Sequence, residues 1–177
     1  IMATQFHFEH VFRAAAIDDL FSAYFDPVHL RHQDQQLEIS ERLVIEQTDD
    51  GETLRRTCKI TPRRQLPAIV RPFLAGPLHY LETATWRRAA RTIEVEIWPS
   101  LLRKKARPTV TAMYRLSQLS DGGSTRSYEG QVCVDLPLFS TRIEHGIVAE
   151  LERSLAVTAT CTQAFLDRGG RYVSARA

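Results

Sequence analysis

The chain has 177 residues, 44% of them hydrophobic and 25% charged, with a formal net charge of +2, a balance that excludes a disordered, collagen-like or strongly nucleic-acid-like composition. No apolar run approaches the ~20 residues of a membrane span and no signal-peptide core is present. Three widely spaced cysteines without a CxxC pair argue against a disulfide framework or zinc knuckle and for a reducing, cytoplasmic setting.

One domain over 2–170 with a tail over 171–177 is the expected organisation. The small net charge conceals an asymmetry: residues 1–52 carry eleven acidic and three basic side chains, whereas residues 53–107 carry thirteen basic and three acidic ones. Folding is expected to interleave much of this into a mixed surface.

Gln5 to Phe12 alternates, with Phe6, Phe8, His10 and Phe12 on one side, and reads as a half-buried strand. Ala14 to Tyr24 reads as a short helix, and Asp26-Pro27 restarts the chain into a second. Gln36 to Gln47 follows as a strand whose odd positions, Leu37, Ile39, Glu41, Leu43 and Ile45, share a face. A two-residue hairpin turn at Asp50-Gly51 would set Ile45 opposite Arg56, Leu43 opposite Cys58 and Glu41 opposite Ile60. Four prolines between Thr61 and Pro77 break the strand pattern. Strands resume at Leu78 to Trp86, Thr92 to Trp98, Thr109 to Gln118 and Arg126 to Leu136.

The last stretch, Thr141 to Arg168, reads as one helix. Thr141 with Glu144 forms a capping-box signature and Gly169-Gly170 a stop. Ile143, Ile147, Leu151, Leu155, Thr158, Thr162 and Phe165 share one face, whose middle is small enough to line a cavity.

One strand, two short helices, six further antiparallel strands and a long C-terminal helix resemble the START-like, helix-grip (SRPBCC) superfamily of polyketide cyclases, plant allergens and lipid-transfer domains. The segment Leu66-Pro67-Ala68-Ile69-Val70-Arg71-Pro72-Phe73-Leu74-Ala75-Gly76-Pro77 and Glu82-Thr83-Ala84-Thr85-Trp86 look like a bacterial domain-of-unknown-function family within it. The resemblance implies an α+β fold in which a curved seven-stranded antiparallel sheet wraps the C-terminal helix around a cavity for an apolar or amphipathic molecule. It carries no universal catalytic residue.

Alternation puts His10, Glu41, Arg56 and Glu82 on otherwise apolar faces, where ionisable groups need a partner or a ligand. Tyr80, Tyr114 and Tyr128 face the same way. With Leu151, Leu155 and Thr158 from the helix, these are the expected ligand-binding residues. The leading expectation is a binding or transport protein for a hydrophobic small molecule or lipid, without cofactor or metal. A cyclase- or dehydratase-like enzyme using the inward Glu, His, Arg and Tyr groups is the alternative. His29 and His32, with Asp34 beyond, are too few for a metal site and read as surface residues. Aromatics are not interleaved among the basic clusters, which disfavours nucleic acid. Leu101 and Leu102 before Arg103, Lys104 and Lys105 instead suit weak contact with an anionic membrane.

Overall fold

The computed structural model of the chain describes residues 3–63, 76–100, 108–135 and 138–170. The elements run β1 (Thr4–Phe12), α1 (Ile17–Phe25), α2 (Pro27–Gln36), β2 (Ile39–Asp49), β3 (Thr53–Pro62), β4 (Tyr80–Arg87), β5 (Thr92–Pro99), β6 (Val110–Gln118), β7 (Ser124–Val132) and α3 (Ser140–Asp167). All seven strands join one antiparallel sheet in the order β1-β7-β6-β5-β4-β3-β2. The first strand therefore pairs with the last, and β1 and β2 lie at the two edges. This is the helix-grip α+β fold: a curved sheet with a long C-terminal helix against its concave face.

Alternation explains which face is buried. Ile93 and Val95 of β5, Val110, Tyr114 and Leu116 of β6, and Tyr128 and Val132 of β7 form one core with Phe6 and Phe12 of β1. Ile143, Ile147, Leu151 and Leu155 of α3 pack against it. At 1.5 Å per residue the 28 residues of α3 span roughly 42 Å, enough to cross the whole sheet. Gly130, Ala112, Val95 and Ala84 form one cross-strand row of small or modest side chains. A Cβ at Gly130 would collide with Thr111 O and lie 2.7 Å from Ala112 Cα, so only glycine fits there.

Local capping follows the sequence in one helix and departs from it in another. The Asp26 side chain accepts from His29 N at 2.8 Å with Pro27 opening α2. At α3 the N-cap is Phe139, with no side-chain cap. The Thr141/Glu144 capping box does not form, because Glu144 is turned inward and only 2% exposed. Its carboxylate accepts from Thr4 Oγ1 at 2.7 Å and from Val134 N at 2.8 Å, fastening the start of α3 to β1 and the end of the sheet. At the other end Gly170 N donates to Phe165 O and Gly169 N to Leu166 O, both glycines having positive φ, so the Gly-Gly stop holds.

The β2–β3 register also differs from expectation. Asp49 pairs with Leu54, and Asp50 Oδ1 accepts from both Glu52 N and Thr53 N, so the turn holds four residues instead of two. Irregularities between Ile39 and Glu41 and between Val44 and Glu46 shift the pairing further. Gln47 faces Arg56, Val44 faces Cys58 and Arg42 faces Ile60. Glu41 pairs with Thr61 and is exposed, so it leaves the concave face and Arg42 takes the inward place expected of it. Leu43, Val44 and Ile45 are 47%, 57% and 58% exposed on this edge strand.

The proline-broken stretch with Leu66, Ile69, Arg71, Phe73 and Leu74, the basic loop with Arg103, Lys104 and Lys105, and the tail 171–177 lie outside the described residues. Among the described residues no helix is long and apolar enough to cross a membrane.

Candidate functional site

One end of the concave face is closed by aromatic packing. Phe21 and Phe25 of α1 stack on Trp86 of β4, with ring centroids 5.1 and 5.6 Å apart. Tyr24 meets Tyr114 edge-on at 5.3 Å. Arg56 of β3 reaches under this group, its guanidinium 4.7 Å above the Phe25 ring. Its Nη1 and Nη2 point at the Phe25 and Tyr24 carbonyls, each at 3.4 Å. These are among the last carbonyls of α1, which have no partner within the helix, so the cation sits at the negative end of the helix dipole. Arg56 is thus satisfied by the fold itself.

Beyond that closure lies Glu82, its side chain 19% exposed. Arg42 Nη1 approaches it at 3.8 Å. Arg42 is itself gripped by Asp34 of α2 in a fork, Nη2 to Oδ1 at 2.8 Å and Nε to Oδ2 at 2.9 Å. Burial works against the Arg42 charge, yet the bond from Asp34 and the charges of Glu82 and Asp34 outweigh it and raise its pKa. Tyr24, Tyr80 and Tyr128 surround the same region. Burial first, then the Glu82 charge, pushes all three phenols above their ordinary pKa, so they remain protonated donors. The Cys58 thiol beside them is also pushed up, by burial, with Arg56 and Arg42 opposing.

The β1 and β7 side of the face carries a residue that sequence reading passed over. Arg126 is 3% exposed. Its Nη2 donates to Leu155 O of α3 at 2.9 Å and to His10 Nδ1 at 3.1 Å, and Nη1 reaches Thr158 Oγ1 at 3.5 Å. The guanidinium lies 5.3 Å from the Phe12 ring centre and 5.6 Å from that of Tyr114. Because Arg126 can only donate, His10 Nδ1 must accept and the imidazole is neutral. Burial and then the Arg126 charge lower the His10 pKa accordingly. The signal for Arg126 was present: it stands two residues before Tyr128 and six before Val132, on the same parity of β7.

The structure therefore gathers Arg56, Tyr80, Glu82, Tyr114, Tyr128 and His10 on the concave face, with Leu151, Leu155 and Thr158 of α3 across from them, and removes Glu41. It adds Arg42, Asp34, Tyr24 and Arg126. His29 and His32 do not form a surface pair. His29 is fully buried and stacks on Phe165 at 4.5 Å, with Thr162 Oγ1 3.0 Å and Gln33 Nε2 2.7 Å from its Nε2. Asp34, the third member of that sequence group, belongs to Arg42. Among the described residues no group of three or more His, Cys, Asp or Glu side chains is placed to hold a metal ion.

The outer face has a shallow groove of ≈ 430 Å³ over Val95, Ala112 and Gly130, flanked by Glu94, Glu96 and Glu129. Glu94 is paired with Arg87 and Glu129 with Arg115, as on an ordinary mixed surface.

A family model described as "Protein of unknown function (DUF2505)" matches residues 8–166. The chain belongs to the DUF2505 family. No curated protein sequence matches it. Among solved structures, this DUF2505 chain is similar to the protein TTHA0849 of Thermus thermophilus, with a TM-score of 0.62 at 8% identity, covering 95% of this chain and 100% of that one. The Zhui aromatase/cyclase of a Streptomyces species gives a TM-score of 0.62 at 11% identity, over 97% of this chain and 99% of that one. A START superfamily protein of Mycobacterium smegmatis gives 0.57 at 11% identity, over 93% and 97%. At such identities the likeness is one of fold alone: this DUF2505 member has the helix-grip fold of these START-like structures.

Proposed function

We propose that this protein binds an apolar or amphipathic small molecule between the concave sheet and α3, without chemistry at the site. The observation that carries the reading is the convergence of the Tyr24, Tyr80 and Tyr128 phenols on the Glu82 carboxylate within an otherwise apolar face. Apolar walls with a few convergent polar groups are the usual makeup of a ligand pocket, and Leu151, Leu155 and the core aromatics supply the walls. The similar structures, one of them an aromatase/cyclase, lend support through fold.

Acid–base chemistry is the second reading. It is favoured by the partly accessible Glu82 carboxylate lying among phenols. The two readings separate on Glu82→Gln: a binding protein keeps its guest with altered affinity, whereas an enzyme loses turnover.

The test of the first reading is saturable binding of Nile red to the native chain, and its loss in Leu151→Trp, which fills the space beside α3. Binding that appears only in partly unfolded protein, or that Leu151→Trp leaves unchanged, overturns it. Contact of Arg103, Lys104 and Lys105 with anionic lipid belongs to the same proposal. Its check is co-sedimentation with anionic against neutral vesicles: equal binding to both removes it.

A further inference from the structure

The charged groups of the concave face can be matched to their counter-charges one by one. Arg42 has two carboxylates, Asp34 and Glu82. Arg56 has none, but two carbonyls at the negative end of α1 answer it. Arg126 has neither. Among the described residues no carboxylate lies within ion-pair distance of it, and its partners are a neutral imidazole, a hydroxyl and one main-chain carbonyl. Its Nε is buried without a hydrogen-bond partner among the described residues. The third inward carboxylate, Glu144, is held by Thr4 and Val134 at the far end of β1 and β7, where Thr4 pairs with Val132 and His10 with Arg126, so the unanswered positive charge resides at one identifiable side chain. A buried guanidinium without an anion is costly, and the usual remedy is a charge-assisted, forked bond to an oxyanion.

We propose that Arg126 is the counter-ion for the bound molecule, which is therefore a monoanionic amphiphile with a carboxylate-type head and an apolar body. This rests on the reading that the concave face takes a ligand. The Phe12 and Tyr114 rings lie within 5.3 and 5.6 Å of the guanidinium carbon, so the anion meets the guanidinium at its hydrogen-bonding edge. The 3.5 Å contact to Thr158 Oγ1 is the longest of those present and the one an entering oxyanion replaces. Glu82, on the same face, disfavours a second negative charge on the guest.

The experiment is displacement of Nile red by matched acid and ester pairs: oleate with methyl oleate, and pyrenebutyrate with its methyl ester, with oleylamine as the cationic control. One charge-assisted hydrogen bond predicts that an acid displaces the dye at about ten-fold lower concentration than its ester. The pair showing that gap tells a chain-like guest from a ring-like one. Arg126→Gln should close the gap, whatever its effect on Nile red itself, and Arg126→Lys should keep part of it. Should Arg126→Gln fail to fold, Glu82→Gln decides. A gap that widens when the competing carboxylate is removed supports the proposal, and an unchanged gap overturns it. Equal potency of acid and ester on the native chain, preference for oleylamine, or a gap that survives Arg126→Gln also overturns it. Failure of Nile red to bind the native chain would instead remove the ligand-binding reading on which this one stands.

Discussion

At His29 the ring is enclosed by Phe165, Thr162 and Gln33, and burial lowers its pKa to about 4, against the opposing pull of Asp26. A base depressed in the folded state takes its proton first in the unfolded one. The stability it contributes is therefore complete above about pH 6.5 and is lost as pH falls towards 4. Urea midpoints measured between pH 7 and 4 should drop more steeply for the native chain than for His29→Leu, and parallel curves would refute this assignment. His10, also depressed, should leave a residual slope in the variant. His10 shares the parity of Phe6, Phe8 and Phe12, but His29 does not announce its burial in the sequence: it follows Pro27 in a helix of few apolar residues. What buries it is α3, more than a hundred residues away. Glu144 illustrates the same limit. Its spacing from Thr141 suggests a local cap, yet it serves a buried non-local latch to Thr4 and Val134. Glu144→Ala should lower the unfolding free energy by roughly 3 kcal/mol, since two hydrogen bonds to a buried carboxylate are lost.

Among the elements, the β2–β3 hairpin is where pattern reading and structure diverge most. Its existence and turn residues were legible, because Asp50-Gly51 lies between two strand-like runs. Its register was not, because a bulge leaves no compositional trace and moves every later side chain to the opposite face. The consequence falls on the site: Arg42, not Glu41, meets Glu82 and Asp34. That bridge ties α2 to β2 with both side chains mostly enclosed, 14% and 13% exposed. Removing one partner of such a pair leaves the other buried and uncompensated. Arg42→Ala and Asp34→Ala should each cost about 3 kcal/mol in urea unfolding, with the double variant much less destabilised than the sum. Additive losses would mean the bridge is not what seats α2.

For the molecule as a whole, strand number, the order of elements along the chain and the covering role of α3 were legible because they follow from period-2 and period-3.6 patterns over long segments. The acidic first quarter and basic middle do meet in space in part, as Asp49 with Arg88 at 2.7 Å shows. The tight seam between β6 and β7 was less visible. It depends on Gly130, where β6 and β7 approach too closely for any side chain. Gly130→Ala should cost at least about 2 kcal/mol through overpacking, read as a lower melting temperature. A neutral effect would show that the sheet can relax there.

The stacking of Trp86 between Phe21 and Phe25, with Arg88 4.5 Å from its ring and its indole N–H buried without a partner among the described residues, gives the molecule an optical gauge of its own. Only two tryptophans are present, so Trp98→Phe leaves a chain whose emission comes from this one ring. A guest that loosens α1 from the sheet would let water reach the indole and shift its emission to longer wavelength. A guest held wholly along α3 would leave the spectrum still. The position of entry is thus written in the colour of one side chain, with no label attached.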